Sequence, residues 1–306
     1  MPSWKRLQRH RRRRPATTVR QALENGIAKL RVKGLPNPAL DCSLLLAAAM
    51  GTNRYKVLSD PYRAVPAEAL SLYSSYLHRR ERLEPMQYIL GVQEFMGLPL
   101  AVRTGVFIPR PETELLVETL LDELRRRPER APLLLDPCTG SGNIAISVAK
   151  FVPDCHVLAT DISAEALAVA TSNAFAHGVS ERIRFVMGHL LEPAIAEGLE
   201  GKATAVVCNP PYIPIGRMRD LPPEVKEYEP YMALCGGQDG LDYYPPLTSQ
   251  AAVLLKADGL LAFEVDCDGA RAVADIIQRQ GCFYDIRVLR DLAGLDRVVV
   301  ARRIPR

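Results

Sequence analysis

Two kinds of periodicity divide the chain. Apolar positions Val19, Leu23, Ile27 and Leu30 recur at helical spacing, and Thr17 or Thr18 is placed to cap that helix. Gly34-Leu-Pro-Asn-Pro38 breaks it. Ala39 to Met50 reads as an apolar helix and Pro66 to Arg82 as another, so residues 17–84 are expected to form a small helical domain. Tyr88 to Val102 then looks like two short strands around Met96-Gly97, which makes residues 85–110 a β-hairpin linker. Pro109-Arg-Pro-Glu-Thr-Glu114 opens a helix, with prolines where a missing N–H costs little.

From residue 132 the pattern alternates. Strands are expected at 133–136, 156–160, 183–187, 203–208, 258–265, 283–289 and 296–302. Helices are expected at 143–151, 163–177, 243–256 and 269–280. This alternation predicts an α/β domain over 111–306, a mostly parallel sheet with helices on both faces. Only a short segment, Asp291 to Asp296, joins the last two strands. It is too short for a parallel crossover, so that pair is expected to be antiparallel. Residues 209–242 fit neither period and are rich in proline (210, 211, 214, 222, 223, 230). So long a loop in a compact domain is expected to be functional.

Composition adds class. The chain has 306 residues, of which 48% are hydrophobic and 24% charged, ordinary values for a globular protein. No apolar run approaches the ~18 residues of a membrane span, and no secretory leader is expected. The seven cysteines are odd in number, widely spread and without a C-x-x-C pair. They read as reduced thiols of a cytoplasmic protein that binds no metal. Charge is uneven: of the net +4, Lys5, Arg6, Arg9 and Arg11 to Arg14 supply +7, so the rest carries −3. Residues 1–16 are therefore expected to be a disordered basic arm, suited to a ribosome or RNA contact.

The chemistry-bearing stretches sit at two strand ends. Leu133-Leu-Leu-Asp136-Pro137-Cys138-Thr139-Gly140-Ser-Gly142 is an apolar strand running into a glycine-bearing turn before a helix, which suits close approach of a ligand. Asp136 is placed to accept from the amino group of a bound amino-acid moiety. Asp161 ends the next strand, 25 residues on, where an acid can hold ribose hydroxyls. The full G-x-G-x-x-G is absent, so no pyrophosphate is expected, which favours S-adenosyl-L-methionine over NAD. The second stretch, Asn209-Pro210-Pro211-Tyr212, follows the apolar run Ala203 to Cys208. The Asn209 side-chain oxygen and the Pro210 carbonyl can each accept one N–H of a planar –NH2 group. The prolines stiffen the turn, and Tyr212 can stack on a flat amide or base. Positioning against an already cationic methyl donor can supply much of the rate. This chemistry fits adenine and cytosine amino groups as well as amides, and leaves the substrate open.

From about residue 20 to 303 the chain resembles the release factor glutamine N5-methyltransferase family. The resemblance runs through Pro85-Met-Gln-Tyr-Ile-Leu-Gly91, Ile108-Pro-Arg-Pro-Glu-Thr-Glu114, Asp136 to Gly142, Asp161, Asn209 to Tyr212 and Glu227-Tyr-Glu-Pro230. It continues through Gly236-Gly-Gln-Asp-Gly-Leu241 and Arg290-Asp-Leu-Ala-Gly-Leu-Asp-Arg297. It implies a class I methyltransferase sheet of seven strands with one antiparallel, an N-terminal helical domain that docks the substrate, and a monomer. It implies methylation of the glutamine in the Gly-Gly-Gln loop of peptide-chain release factors, in support of translation termination. Asp136, Pro137, Cys138, Thr139, Gly140, Asp161, His189 and Asn209 would hold the cofactor; Asn209, Pro210, Pro211 and Tyr212 would hold the substrate amide. Pro137, Cys138 and His189 depart from the family's usual residues. Gly236-Gly-Gln238 copies the target tripeptide but is expected to be part of the family's own glycine-rich run. Glu112 and Glu114 are read as favourable charges at a helix N-terminus. The alternatives are a ribosomal-protein glutamine methyltransferase and an adenine-specific nucleic-acid methyltransferase.

Overall fold

The computed structural model describes residues 16–305. The charged residues of the basic arm lie outside that range. The chain divides into two compact units, one ending at Leu90 and the other beginning at Gly91.

The first unit is helical, with helices Val19–Val32, Pro38–Ala49, Arg54–Ser59, Ala67–Glu81 and Met86–Leu90. Thr18 caps the first helix. Its Oγ1 accepts from the Gln21 N–H, and the Gln21 side chain accepts from the Thr18 N–H at 3.0 Å, a reciprocal capping box. Leu30, Leu45, Leu46 and Tyr73 fill the core, and Arg80 pairs with Asp41 at 2.8 Å within it. The helices at 54–59 and 86–90 are too short for an apolar repeat to register in the sequence. The second of them also corrects the hairpin's start, because Tyr88 to Leu90 are helical rather than extended.

The second unit opens with the antiparallel hairpin β1 (Val92–Phe95) and β2 (Leu98–Ala101). Glu114 fastens the hairpin, accepting the Met96 N–H at 2.6 Å. After a 3-10 turn at Pro111–Thr113 comes the helix Glu114–Arg126. Seven further strands follow: β3 (Leu133–Pro137), β4 (His156–Asp161), β5 (Ile183–Met187), β6 (Ala203–Cys208), β7 (Leu255–Glu264), β8 (Phe283–Arg290) and β9 (Asp296–Arg303). They form one sheet in the order β5-β4-β3-β6-β7-β9-β8. All run parallel except β9, which is antiparallel to both neighbours. This is the expected class I arrangement.

Successive side chains of a strand point to opposite faces, and both faces here are buried. Leu134, Ala205 and Val300 join one core with Leu116 and Ile146. Leu135, Val206 and Val299 join the other with Leu247 and Val273. The central strands β3 and β6 therefore read as continuous apolar runs. β3 is followed by β4 on one side, and the chain later returns to place β6 on the other. Beyond the carboxyl ends of strands at such a switch point lies the crevice where α/β sheets bind ligands.

Candidate active site

The carboxyl ends of β3, β4 and β6 deliver the residues singled out in the sequence to that crevice. A cavity of about 800 Å³ lies there, within the second unit. Cys138, Thr139, Gly140, Asp161 and His189 line one part of it, and Asn209 to Ile213 another. Two expected cofactor residues, Asp136 and Pro137, do not line it. They sit behind the turn and shape it.

Asp136 is fully buried. Its Oδ2 accepts from Thr139 Oγ1 at 2.6 Å and from the Ala145 N–H at 3.2 Å, tying strand end, turn and following helix together. Its Oδ1 has no hydrogen-bond partner among the described residues. Burial pushes the carboxyl up to about 7, against the pull of the Thr139 hydroxyl and the Ala145 N–H. Cys138 and Gly140 both adopt left-handed backbone, with φ of 58° and 57°. A side chain added at Gly140 would enter open space, with no described residue within 4 Å of its Cβ. Asp161 Oδ2 accepts the Gly140 N–H and Oδ1 the Ser163 N–H, both at 2.9 Å. Each oxygen keeps a further lone pair for a ligand hydroxyl. Burial raises the Asp161 pKa as well. His189 stands at the cavity edge, half its side chain exposed, with Nδ1 3.2 Å from Glu192.

These features fit S-adenosyl-L-methionine. There is an open cradle at Gly140, and Asp161 supplies an acid with spare acceptor capacity at the cavity wall. The cavity size is in the range of a nucleoside-sized ligand.

At the other part of the cavity the Asn209 amide is fixed by a contact the sequence did not announce. Its Nδ2 donates to Thr113 Oγ1 at 3.1 Å. Thr113 is fully buried in the turn before the helix Glu114–Arg126. Tyr212 donates its hydroxyl to Glu264 Oε1 at 3.2 Å. Burial raises the Tyr212 pKa, so the phenol stays a donor. Glu264, at the end of β7, is wholly buried and is pushed up to about 7 by burial. Sequence reasoning gave roles to neither Thr113 nor Glu264. The signal for Glu264 was an acid closing the apolar run Leu260 to Phe263, where a parallel strand ends.

The proline-rich segment after Tyr212 folds into short helical turns at Ile215–Asp220, Pro223–Lys226 and Tyr231–Leu234. Leu221, Val225, Met232 and Leu234 line the cavity. Glu229, its side chain 1% exposed, holds this segment to the Ile108-Pro-Arg110 stretch. It pairs with Arg110 and accepts the Ile108 N–H at 3.2 Å, and Arg110 lies 4.9 Å over the Phe107 ring. The glycine-rich run closes back on the tetrapeptide: Gly236 donates to the Ile213 carbonyl at 2.9 Å. A Cβ at Gly236 would fall 2.7 Å from both Pro211 O and Tyr212 Cα. Gly236 thus packs against Pro211 and Tyr212, while a Cβ at Gly237 would meet Asp242.

Among the described residues one group, Asp266, Cys267 and Asp268, gathers potential metal-ligating atoms. Arg217 neutralises it, at 2.6 Å from Asp266 and 3.6 Å from Asp268.

Comparison with known proteins places these observations in a family. Residues 21–91 match the PrmC N-terminal domain model and residues 103–218 the Methyltransferase small domain model. The chain is 40% identical over 286 residues to the release factor glutamine methyltransferase of Moorella thermoacetica, covering 94% of this chain and 99% of that one. It is 39% identical over 285 residues to that of Geobacter sulfurreducens, covering 93% and 96%. Among solved structures, the release-factor-specific protein-(glutamine-N5) methyltransferase of Alicyclobacillus acidocaldarius matches with 29% identity and a TM-score of 0.41, over 65% of this chain and 95% of that one.

Proposed function

The chain belongs to the release factor glutamine methyltransferase family, and on that premise we propose how its site works. The enzyme transfers a methyl group from S-adenosyl-L-methionine to the side-chain amide nitrogen of the Gly-Gly-Gln glutamine in peptide-chain release factors. The cofactor supplies a methyl group on a positively charged sulfur. The protein's task is to present a poor nucleophile, since the amide lone pair is delocalised into its carbonyl.

Asn209 Oδ1 and the Pro210 carbonyl each accept one N–H of the glutamine amide. Asn209 Nδ2 is already held by Thr113, which leaves Oδ1 to the cavity. Among the described residues no backbone N–H occupies the Pro210 carbonyl. Two acceptors in a stiff turn orient the nitrogen and raise its electron density. Tyr212, anchored through Glu264, walls the amide on its flat side. Asp136 holds the turn that receives the cofactor's amino-acid end, Asp161 accepts from its ribose, and His189 borders its base. Cys138, Thr139 and Gly140 supply the cradle.

The helical first unit docks the release factor, and the segment 213–234 forms the apolar wall of the channel that admits its loop. The basic arm contributes a ribosome or RNA contact, and the enzyme acts in the cytoplasm as a monomer. No helix among the described residues is long and apolar enough to cross a membrane.

The observation that carries the reading is the Asn209 amide, held through Nδ2 by Thr113 at the cavity wall. The test is transfer of labelled methyl groups to purified release factor, located by mass spectrometry. Wild type methylates the glutamine, and Asn209→Ala loses about 100-fold or more in kcat, the scale of a removed positioning contact. Equal rates for both proteins would overturn the assignment of Asn209.

A further inference from the structure

We propose that Arg110 is a substrate-binding residue whose guanidinium donates to a backbone carbonyl of the release-factor loop beside the target glutamine. The inference rests on the function proposed above.

The loop that enters this cavity carries little to recognise. Its two glycines have no side chains, so only their backbone N–H and C=O groups can be read. A carbonyl moved from water into an apolar channel needs a donor there, or binding is weakened by its desolvation. The wall that receives the loop supplies few side-chain donors. Between residues 209 and 234 the polar side chains lining the cavity are Asn209 and Tyr212; the other lining side chains of that wall are apolar. Asn209 Nδ2 donates to Thr113, and the Tyr212 hydroxyl to Glu264.

Arg110 lines the same cavity and is the one lysine or arginine among its described lining residues. Its Nη2 pairs with Glu229, whose side chain is 1% exposed and also accepts the Ile108 N–H at 3.2 Å. The guanidinium lies 4.9 Å over the Phe107 ring. The planar group is thereby fixed by one edge and one face, and only one of its three nitrogens is used. Among the described residues no hydrogen bond takes Nε or Nη1, and 28% of the side chain stays exposed. Arg110 thus holds fixed, charged donors ready in a cavity with an apolar wall.

The chemistry of their partner follows. Glu229 offsets the arginine's charge, so the pair suits a carbonyl dipole better than a carboxylate or phosphate. The carbonyl of the target amide is the poorer partner. A cation there would draw electron density from the nitrogen that Asn209 and Pro210 enrich. A neighbouring backbone carbonyl takes the hydrogen bond without that penalty, and its effect falls on substrate binding rather than on the transfer step.

The test is steady-state methylation of purified release factor by the full chain at saturating cofactor, with thermal melts and S-adenosylhomocysteine affinity on each variant. Arg110→Gln is expected to raise the KM for release factor about 10-fold or more, the scale of a hydrogen bond to a charged donor. Its kcat and S-adenosylhomocysteine affinity should stay within about twofold of wild type. Arg110 also holds Glu229 and Phe107, so the substitution is repeated in the Glu229→Gln and Phe107→Leu backgrounds. A direct contact with substrate keeps the rise in KM at about 5-fold or more in each. A rise that vanishes in either background overturns the proposal, because Arg110 then acts only through that neighbour. An unchanged KM in Arg110→Gln also overturns it, with or without a loss in kcat. The Arg110→Gln, Glu229→Gln double variant leaves no buried acid unpaired, and it decides if Arg110→Gln alone does not fold. If neither folds, Arg110→Lys decides: it keeps the charge but loses the planar fork of donors, and an unchanged KM overturns the proposal. A wild-type enzyme that transfers no methyl group to release factor refutes the proposed function instead, and is seen before any variant is made.

Discussion

Replacing Gly236 by alanine tests whether the glycine-rich run sets the geometry of the substrate clamp. The added Cβ would lie 2.7 Å from Pro211 O and from Tyr212 Cα, and 2.9 Å from Gly240 O. All three are backbone atoms, so no side chain can swing aside. Ordinary Cβ contacts begin at 3.4 Å, so the tetrapeptide must move by about 0.7 Å, the difference between 3.4 and 2.7 Å. Binding constellations tolerate about 0.5 Å, and a displacement of about 1 Å costs on the order of 100-fold in rate. The expected loss in kcat is therefore about 30- to 100-fold. Overpacking of this kind costs about 1–3 kcal/mol, a drop of several degrees in the melting temperature of a unit this size. Cofactor-analogue affinity should change less than about twofold, because the Cys138 to Ser141 turn is untouched. Gly216→Ala is the matched control. It lies in the same loop, has no positive φ, and its Cβ would meet nothing within 4 Å. Methyl transfer to release factor, calorimetric binding of S-adenosylhomocysteine and thermal melts on the two variants check the argument. A Gly236→Ala enzyme within about threefold of wild type, melting with Gly216→Ala, would refute it.

Two further outcomes are expected. Asp136 and Glu264 both have folded pKa values raised to about 7 by burial. A carboxyl whose folded pKa is raised contributes stability that is fully present below its unfolded value and lost as pH rises through the folded one. The ligand-free protein should thus lose stability from about pH 4 to 7, by up to ~1.4 kcal/mol per pH unit for each group. Asp136→Asn should flatten part of that slope in melts across this range while weakening S-adenosylhomocysteine binding; a slope equal to wild type would count against the burial argument. Glu229→Gln keeps an acceptor for the Ile108 N–H but loses the ion pair with Arg110. The KM for release factor should then rise about 5- to 50-fold, with cofactor affinity unchanged, as steady-state kinetics against both substrates would show.

Strand bounds could be read from the chain to within one residue except at β7, which starts three residues earlier than expected, because a strand buried on both faces must be a short apolar run. β5 and β6 begin and end where the pattern places them, and β3 runs one residue further. That β8 and β9 pair antiparallel followed from the length of one connection. The short helices Arg54–Ser59 and Met86–Leu90 had no such signature, since neither is long enough to repeat an apolar face. The site divides in the same way. Asn209-Pro-Pro-Tyr212 and the Asp136 to Gly142 turn are local, and their chemistry is carried by residues adjacent in the chain. Their supports are not local. Thr113 reaches Asn209 across 96 positions and Glu264 reaches Tyr212 across 52. A lone threonine in a helix-opening run and a lone acid at a strand end bear no pattern that pairs them. Residues adjacent in the chain pointed to the groups that could grip a planar amide and to the expected cofactor turn. Only the tertiary structure decided that Asp136 stands behind that turn, that Gly236 presses on Pro211 and Tyr212, and that Thr113 holds the Asn209 amide. The physical reason is that periodicity records burial along one element. The hydrogen bonds that hold a side-chain amide come from elements far apart in the chain.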